Sequence, residues 1–371
     1  MLLFKAVKKT TLLYYVSLII LALIIAFFIS DILPATLQTI SSDEDAKWRK
    51  IINTIFDLRN QAVLHSEFDR LETMYLVDER NGLWAYENEV RRSKYLSGWA
   101  EKQGCVILNI SSDFIIKRVK QAGRGHSFYI VSSNEYAYSY INEPDTVNSF
   151  YLGTYHSLDL IPRGDGFIIS REWYTDPLSC ILDTEKLPEG ISEKITSQPP
   201  KDISDINERR KAAVEYADKY CGAAFNASTG YNNKYSDYNS LGGDCANFVS
   251  QVLHEGGGFK KTSTWNYKSG KGSYSWIKAG GLRSFMLYSG RATLISNGKY
   301  ADVYKHAYSL QPGDIIAYSK KGSVAHVAVV TGFDSKGYPL VNCHNADRYR
   351  VPWDIGWRYN GTIFYLISVH Y

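Results

Sequence analysis

The sequence predicts an α+β protein in which one transmembrane helix precedes two α+β domains. Three observations lead to this prediction. Residues 10–30 carry no charge and are rich in Leu, Ile, Ala and Phe. Residues 41–178 begin with helical periodicity and continue as strand-like runs, and residues 207–371 combine helices and strands again after a polar stretch with prolines. The predicted organisation is an anchor region at residues 1–31, a first domain at 32–180, a linker at 181–206 and a second domain at 207–371.

Length and charge limit the number of domains and the kinds of partner that the sequence suits. The chain has 371 residues, which suits two domains, and 42 Lys and Arg against 38 Asp and Glu give a net charge of +4. Because this charge is nearly balanced, the sequence argues against nucleic acid as a partner, which needs a concentrated basic surface. Aromatic residues make up 14% of the chain, a content typical of aromatic-lined grooves and also of tyrosine-rich cores.

The uncharged segment at residues 10–30 is long enough to cross a membrane. As a helix rising about 1.5 Å per residue it spans roughly 31 Å, against a bilayer core of about 30 Å. Lys5, Lys8 and Lys9 precede it and residues 31–46 contain no Lys or Arg. This bias predicts a single-pass protein of the cell membrane with its C-terminal domains extracytoplasmic. A cleaved signal peptide is the alternative, but it needs a shorter apolar core and a small residue where Leu33 stands.

The five cysteines fit neither a disulfide framework nor a metal site. Their spacing is irregular, and no CxxC or zinc-ligand pattern occurs. His254-Glu255 begins like the HExxH zinc motif, but its fifth position is Gly258. The sequence therefore predicts no metal and no cofactor. Since five is an odd number, at least one thiol stays unpaired unless it bonds another chain.

The first domain is predicted to place helices on one face of a curved antiparallel sheet. Apolar residues recur at helical spacing over residues 48–63 and 84–99, and strand-like runs follow at 114–119, 128–131, 136–140 and 164–173. This order resembles a cone-shaped NTF2-like domain, which often has a cavity. A binding role is one interpretation of the resemblance. We favour a spacer that holds the second domain away from the membrane.

The second domain is predicted to begin with a helix. Residues 181–206 have the composition of a linker, with prolines among polar residues and no aromatic residue. Asp205 and Glu208 then show the spacing of a capping box, and apolar residues continue at helical spacing as far as Tyr220.

The sequence Gly242-Gly243-Asp244-Cys245 precedes a short apolar helix, which three glycines at 256–258 end. Asp244 is a good N-cap residue type, and two glycines allow a sharp entry into the helix. Cys245 is thereby predicted at the first helical position, where the helix dipole and free backbone N–H groups favour a thiolate and can stabilise an oxyanion. These are the surroundings of a cysteine nucleophile, with a buried structural cysteine as the alternative.

The candidate partner of Cys245 is His326, which lies near the start of a strand of small and branched residues. An imidazole there could form an ion pair with the thiol and later protonate a leaving amine. The following strand offers candidates for a third group that orients the imidazole. Asn342 and His344 share one face of that strand. We prefer His344, followed by Asn345 and then Asn342.

This second region resembles a known family. The residues that carry the resemblance are Tyr231-Asn232, Gly242-Gly243-Asp244-Cys245-Ala246-Asn247-Phe248-Val249-Ser250-Gln251, His326-Val-Ala-Val-Val-Thr-Gly332 and His344-Asn-Ala-Asp347. They resemble the putative amidase domain of bacterial, chiefly Gram-positive, surface proteins, a family placed with the papain-like NlpC/P60 and CHAP cysteine hydrolases. The resemblance implies a papain-like α+β fold with Cys245 as nucleophile and His326 as base. It also implies hydrolysis of an amide, with peptidoglycan or a muropeptide as substrate.

Three more residues are candidates for contacting the substrate. They are Asp244, which precedes the nucleophile, and Trp265 and Trp276, which could line a groove between the Cys245 helix and the strands. Core packing is the alternative for the two tryptophans. Two other classes of function stay open. One is a wall-binding protein that retains the fold without turnover, and the other is a scaffold in a surface complex whose working part is the first domain.

Overall fold

The computed structural model describes residues 42–179, 182 and 187–371. The predicted membrane segment at residues 10–30, Cys180 and part of the predicted linker lie outside the described residues. Within the described part of the chain, no helix is both long enough and apolar enough to span a membrane. Residues 52–371 form one unit by their internal contacts.

The helices form one group before the sheet and a second group within the C-terminal half. They are α1 (Ser42–His65), α2 (Asp69–Glu72), α3 (Arg80–Gln103), α4 (Ile191–Thr196), α5 (Glu208–Lys219), α6 (Cys245–Gln251), α7 (Tyr274–Ile277), α8 (Ala279–Tyr288) and α9 (Tyr300–Ala307). Short 3-10 turns cover Pro177–Ser179, Gly222–Ala224 and Asn239–Leu241, and a π-helical turn, Val252–Gly256, continues α6. The helices predicted at residues 48–63 and 84–99 are confirmed as α1 and α3.

Most strands belong to a single antiparallel sheet. Its strands are β1 (Cys105–Ala122), β2 (Gly125–Tyr140), β3 (Glu143–Arg163), β4 (Gly166–Tyr174), β7 (Ala292–Gly298), β8 (Ile315–Lys320), β9 (Ser323–Phe333), β10 (Pro339–Cys343), β11 (Asp347–Pro352) and β12 (Thr362–Val369). Their order is β1-β2-β3-β11-β10-β9-β8-β12-β7, with β4 also paired to β3, and β5 (Tyr267–Lys268) and β6 (Lys271–Gly272) make a separate hairpin. The α+β prediction is confirmed, and the runs predicted at 128–131 and 136–140 are parts of one strand, β2.

Helix α3 packs on the N-terminal strands through its apolar stripe. Tyr95, Leu96 and Trp99 are buried at helical spacing, and the Trp99 ring lies 5.7 Å from the ring of Tyr138 on β2. The helix ends at Gly104, whose φ of 70° lets its backbone N–H bond back into the last turn. Strand β1 starts at the next residue, so this one glycine turns the chain from helix into sheet.

The N-cap of helix α5 lies two residues after the one that the sequence pattern predicts. The Asn207 side chain accepts a hydrogen bond from the backbone N–H of Arg210 at 3.0 Å, which makes Asn207 the N-cap. The capping box predicted from Asp205 and Glu208 is therefore wrong. Both Asp205 and Asn207 are favourable cap residue types, so composition alone did not separate them.

The sheet runs without interruption from the N-terminal strands into the C-terminal ones. Strand β3 pairs with β11 antiparallel, with Gly153 opposite Asp347 and Tyr151 opposite Tyr349. Gly153 permits this close approach, because a Cβ there would collide with the backbone of Ala223. The predicted domain boundaries near residues 180 and 207 stay a prediction, and the strands on either side of them share one sheet.

Two hydrophobic clusters cover the two faces of the C-terminal strands. On one face, Phe248 of α6 packs with Val327 and Val329 of β9, and we call this the helix face. On the other face, Ala328 and Val330 of the same strand pack with residues of β8 and β10. Because successive strand residues point to opposite faces, the position of a residue along β9 or β10 determines whether it faces α6.

Candidate active site

Cys245 is the first residue of α6, as the sequence predicts. Gly242 and Gly243 open the turn before it with φ values of 101° and 123°, which only glycine adopts without strain. A Cβ on Gly243 would also collide with the side chain of Asn345. The Cys245 residue is buried, with 7% of its surface exposed.

The Asp244 carboxylate organises this turn from the inside. Its Oδ1 accepts hydrogen bonds from the backbone N–H of Tyr238 at 3.0 Å and from Asn247 Nδ2 at 2.8 Å. Its Oδ2 accepts one from His344 Nδ1 at 2.6 Å. Asp244 is only 1% exposed, so its position does not match the substrate contact expected from the sequence. It holds the loop that carries Cys245.

His344 lies on the helix face, as the alternation along β10 predicts. Its ring stacks between Tyr231, at 3.6 Å between centroids, and Phe248 of α6, at 4.2 Å. Its Nε2 lies 2.7 Å from the backbone carbonyl oxygen of Tyr220 and its Nδ1 faces Asp244. Both ring nitrogens of His344 therefore lie within hydrogen-bond distance of oxygen atoms of the protein.

His326 lies on the opposite face of the sheet from Cys245. It pairs with Tyr318 of β8, its Nε2 lies 3.2 Å from Cys343 Sγ, and its ring lies 5.5 Å from that of Trp357. Burial, with smaller contributions from Arg348 and Lys320, lowers the pKa of His326 to about 3, so its imidazole is neutral. The structure therefore does not form the expected ion pair between His326 and Cys245, and His344 does not orient His326.

The two asparagines proposed as third groups have different surroundings. Asn342 is fully buried and fully bonded, since its Oδ1 accepts from Thr331 Oγ1 at 2.8 Å and its Nδ2 donates to Asp218 Oδ1 at 2.9 Å. Asn345 is half-buried, and its Oδ1 accepts from the backbone N–H of Asp244. Asn345 thus supports the turn before Cys245, whereas Asn342 supports the strands.

Trp265 and Trp276 pack in the core behind α6 and do not line a groove. Both are 0% exposed, and their rings lie 4.7 Å apart. Trp265 Nε1 donates to Ser250 Oγ at 3.0 Å, and Trp276 Nε1 donates to Asn247 Oδ1 at 2.9 Å. The predicted contact with substrate is corrected to core packing, because each indole satisfies its N–H on polar side chains of α6 itself.

Opposing influences act on the Cys245 thiol. Burial raises its pKa to about 11, the backbone N–H groups of Val327 and Ala246 lower it, and the Asp244 charge raises it. The Val327 N–H is a donor that the sequence did not reveal, because it depends on β9 lying against the start of α6. Among the described residues, no group of three or more His, Cys, Asp or Glu side chains could hold a metal ion.

The domain that holds this arrangement matches a known family. Residues 207–367 match the family model described as "Putative amidase domain". That range runs from the N-cap of α5 into β12 and contains the Cys245 turn, His326 and His344. The match supports hydrolase activity for this part of the chain.

A curated relative extends the similarity without naming an activity. The chain is 30% identical over 189 residues to a protein of Bacillus subtilis (strain 168) named "Uncharacterized protein YhbB". The aligned segment covers 46% of this chain and 54% of that protein, so the chain spans about half the length of this relative. No solved structure matches the chain.

Proposed function

We propose that this protein hydrolyses amide bonds with Cys245 as the nucleophile. The observation that carries the proposal is the position of the thiol within the matched amidase domain. It lies at the N-terminus of α6, and the backbone N–H groups of Val327 and Ala246 face its sulfur. Fixed donors around an attacking atom are suited to stabilising the oxyanion of a tetrahedral intermediate. In the proposal, Sγ attacks the carbonyl carbon and the N–H groups of Cys245 and Val327 bind the oxyanion.

We assign proton transfer to His344. It lies on the helix face with Cys245 and is held by Asp244, the residue before the nucleophile, whereas His326 lies on the opposite face. To accept the thiol proton, His344 must release its bond to Tyr220 and present an unprotonated ring nitrogen to Cys245. It then protonates the leaving amine, and water hydrolyses the thioester to the acid.

We propose peptidoglycan as the substrate and the outer side of the cell membrane as the location. The uncharged segment at residues 10–30 and the lysines before it support anchoring with the C-terminal part outside. Peptidoglycan is the amide-rich polymer on that side, with amide bonds between sugar and peptide, within the stem peptides and in the cross-bridges.

The first test compares two cysteine variants of the full-length protein in detergent. Purified peptidoglycan is incubated with the unaltered protein, Cys245→Ser and Cys343→Ser, and released fragments are identified by mass spectrometry. We expect Cys245→Ser to lose activity by about a thousandfold or more, while Cys343→Ser stays active. Cys343 is the matched control because it is also a buried, free thiol and contacts His326. Loss of activity in Cys343→Ser alone would contradict the assignment of Cys245.

The same assay separates the two histidines. His344→Asn is expected to lower the rate about a hundredfold or more, because proton transfer contributes roughly that much. His326→Asn is expected to stay within a few-fold of the unaltered protein if both variants melt at similar temperatures. If His326→Asn lowered the rate more than His344→Asn does, proton transfer would instead be assigned to His326.

A wall-binding protein without turnover is the second candidate function. The observation that favours it is the state of the Cys245 thiol, which is 7% exposed and whose pKa burial raises to about 11. Cosedimentation with insoluble peptidoglycan of several types, without release of any fragment, would favour this candidate over the hydrolase.

A further inference from the structure

A cavity of about 650 Å³ lies where the N-terminal strands meet the C-terminal domain. We call it the shared cavity. Tyr129 of β2 and Tyr155 of β3 line it from the N-terminal side, and Tyr231, Tyr235 and Asn345 line it from the C-terminal side. Its volume is in the range of sites that take small organic ligands. The N-terminal strands therefore form part of this site, beyond the spacer role that the sequence favours for them.

The lining suits an uncharged polar ligand with an apolar face. Four tyrosines line it with aromatic rings and four asparagines line it with uncharged amides; they are Tyr129, Tyr155, Tyr231, Tyr235, Asn232, Asn233, Asn239 and Asn345. Among the described residues that line the cavity, Asp237 alone carries a charge. Peptidoglycan stem peptides carry several charges and would need ionic partners, whereas an N-acetylated sugar ring is uncharged and matches this lining in polarity.

Two aromatic side chains of the cavity are fixed before any ligand binds. The hydroxyls of Tyr155 and Tyr231 each donate to the Asp347 carboxylate at 2.6 Å, from the N-terminal and C-terminal sides respectively. Asp347 is fully buried at the start of β11, opposite Gly153 of β3. Asp347 is thus a positioning residue, and fixed rings reduce the entropy lost when a ligand is bound.

The shared cavity reaches the turn that carries the proposed nucleophile. The Tyr231 ring lines the cavity and stacks on His344 at 3.6 Å, so one ring separates the cavity from this imidazole. Asn345 also lines the cavity, and its side chain accepts from the backbone N–H of Asp244, the residue before Cys245. A sugar in the cavity would therefore contact Tyr231 and Asn345, which in turn contact His344 and the turn before Cys245.

We propose that the shared cavity binds the N-acetylated sugar of a glycan strand at the point where the sugar joins its peptide. The bond that reaches Cys245 is then the sugar–peptide amide. The N-terminal strands act as a substrate-recognition element through Tyr129 and Tyr155. This inference rests on the proposed hydrolase and names its substrate class.

The test measures binding in a full-length protein that cannot cleave the probe. Cys245→Ser is titrated by calorimetry with muramyl dipeptide, which contains the sugar, the amide and two amino acids, and with the same dipeptide lacking the sugar. We expect the dipeptide alone to bind at least about tenfold more weakly. Adding Tyr129→Ala should weaken binding of muramyl dipeptide by about tenfold, because a ring face is lost. Tyr288→Ala, a tyrosine that is 86% exposed and outside the cavity, should leave it unchanged.

Tyr129 suits this test because it is 40% exposed, so its loss leaves the core intact. Asn239→Ala, at another exposed lining position, provides a second variant expected to act in the same direction. Equal affinity for the two probes, or equal effects of Tyr129→Ala and Tyr288→Ala, would overturn the inference. So would peptidoglycan fragments cut only within the stem peptide, although these would uphold the hydrolase. Sugar-dependent binding without any cleavage by the unaltered protein would instead refute the hydrolase and leave the sugar site standing.

Discussion

At Cys245, burial outweighs the effects that favour a thiolate. Removing the thiolate from water raises the pKa, while the backbone N–H groups of Val327 and Ala246 lower it by a smaller amount, which leaves it at about 11. The thiol is therefore protonated at neutral pH. A helix N-terminus alone predicts the opposite. The proposed reaction accordingly needs a group that removes the proton as the sulfur attacks.

We expect alkylation of Cys245 to accelerate with pH up to about 11. Only the thiolate reacts, and with a raised pKa its fraction grows about tenfold per pH unit from roughly one in ten thousand at pH 7. Iodoacetamide labelling resolved by peptide mass spectrometry measures the rate for each cysteine. Cys343 is fully buried with a pKa raised by burial to about 12, so it should label more slowly at every pH. A Cys245 rate that levels off near pH 7 would contradict this description of the thiol.

At the scale of elements, the alternation of side chains along β9 decides that His326 faces away from α6. Strands β8 and β9 pair Tyr318 with His326 but Ser319 with Val324, so Ala325 is an extra residue on β9. His326 lies after this bulge and two residues before Ala328, so it shares the face of Ala328 and lies away from α6. The sequence identifies this strand but not its face, because small and branched apolar residues on both sides of β9 give no alternating pattern.

The turn between β10 and β11 is strained at one position. Asn345 and Ala346 have φ values of 68° and 61°, and this left-handed region suits asparagine better than alanine. Ala346→Gly should therefore raise the free energy of unfolding by roughly 0.5–1 kcal/mol, since relief of strain outweighs the added entropy of the unfolded chain. Ala301→Gly within α9 is the matched control and should lower it by about 1 kcal/mol. Urea unfolding measures both, and changes of the same sign would contradict the assignment of strain.

At the scale of the whole molecule, a buried ion pair links the N-terminal helices to the C-terminal domain. Lys102 of α3 is about 1% exposed, and its Nζ lies 2.7 Å from Asp354 Oδ2, shortly after β11. Its Nζ also donates to the hydroxyls of Tyr300 and Tyr338 at 3.2 and 3.3 Å. Burial lowers the pKa of Lys102, and the Asp354 charge opposes that effect. Removing either partner would leave the other buried without its counter-charge.

Lys102→Ala is expected to lower the free energy of unfolding by about 3–5 kcal/mol, because Asp354 would remain buried without its counter-charge. Lys211→Ala is the matched control. Lys211 forms an ion pair of the same 2.7 Å length with Glu208, but on the surface where solvent screens it, so its loss should have a much smaller effect. Denaturant titrations of the two variants measure the difference. If both variants lowered the free energy of unfolding by equally small amounts, the Lys102–Asp354 pair would not stabilise the contact between α3 and the C-terminal domain.

Sequence patterns predict the local parts of the site well and its long-range parts poorly. Gly242-Gly243-Asp244 correctly indicates a helix that starts at Cys245, and the alternation along β10 correctly indicates that Asn342 and His344 share a face. For Trp265 and Trp276 the sequence offered both a groove and core packing, since amphipathic side chains suit both, and the structure shows core packing. The sequence does not indicate that Tyr155 contacts Asp347. The two residues meet through the pairing of β3 with β11, and these strands are far apart in the chain.

Cutting the chain between β4 and α5 would not release an independent C-terminal domain. Without β3, one border of β11 would present unpaired backbone groups at Asp347 and Tyr349, and open strand borders recruit other strands. An excised C-terminal fragment is therefore expected to self-associate in solution. A proteolytic nick in the connecting segment would have a different result, because the sheet and the Lys102–Asp354 pair would keep the two pieces together.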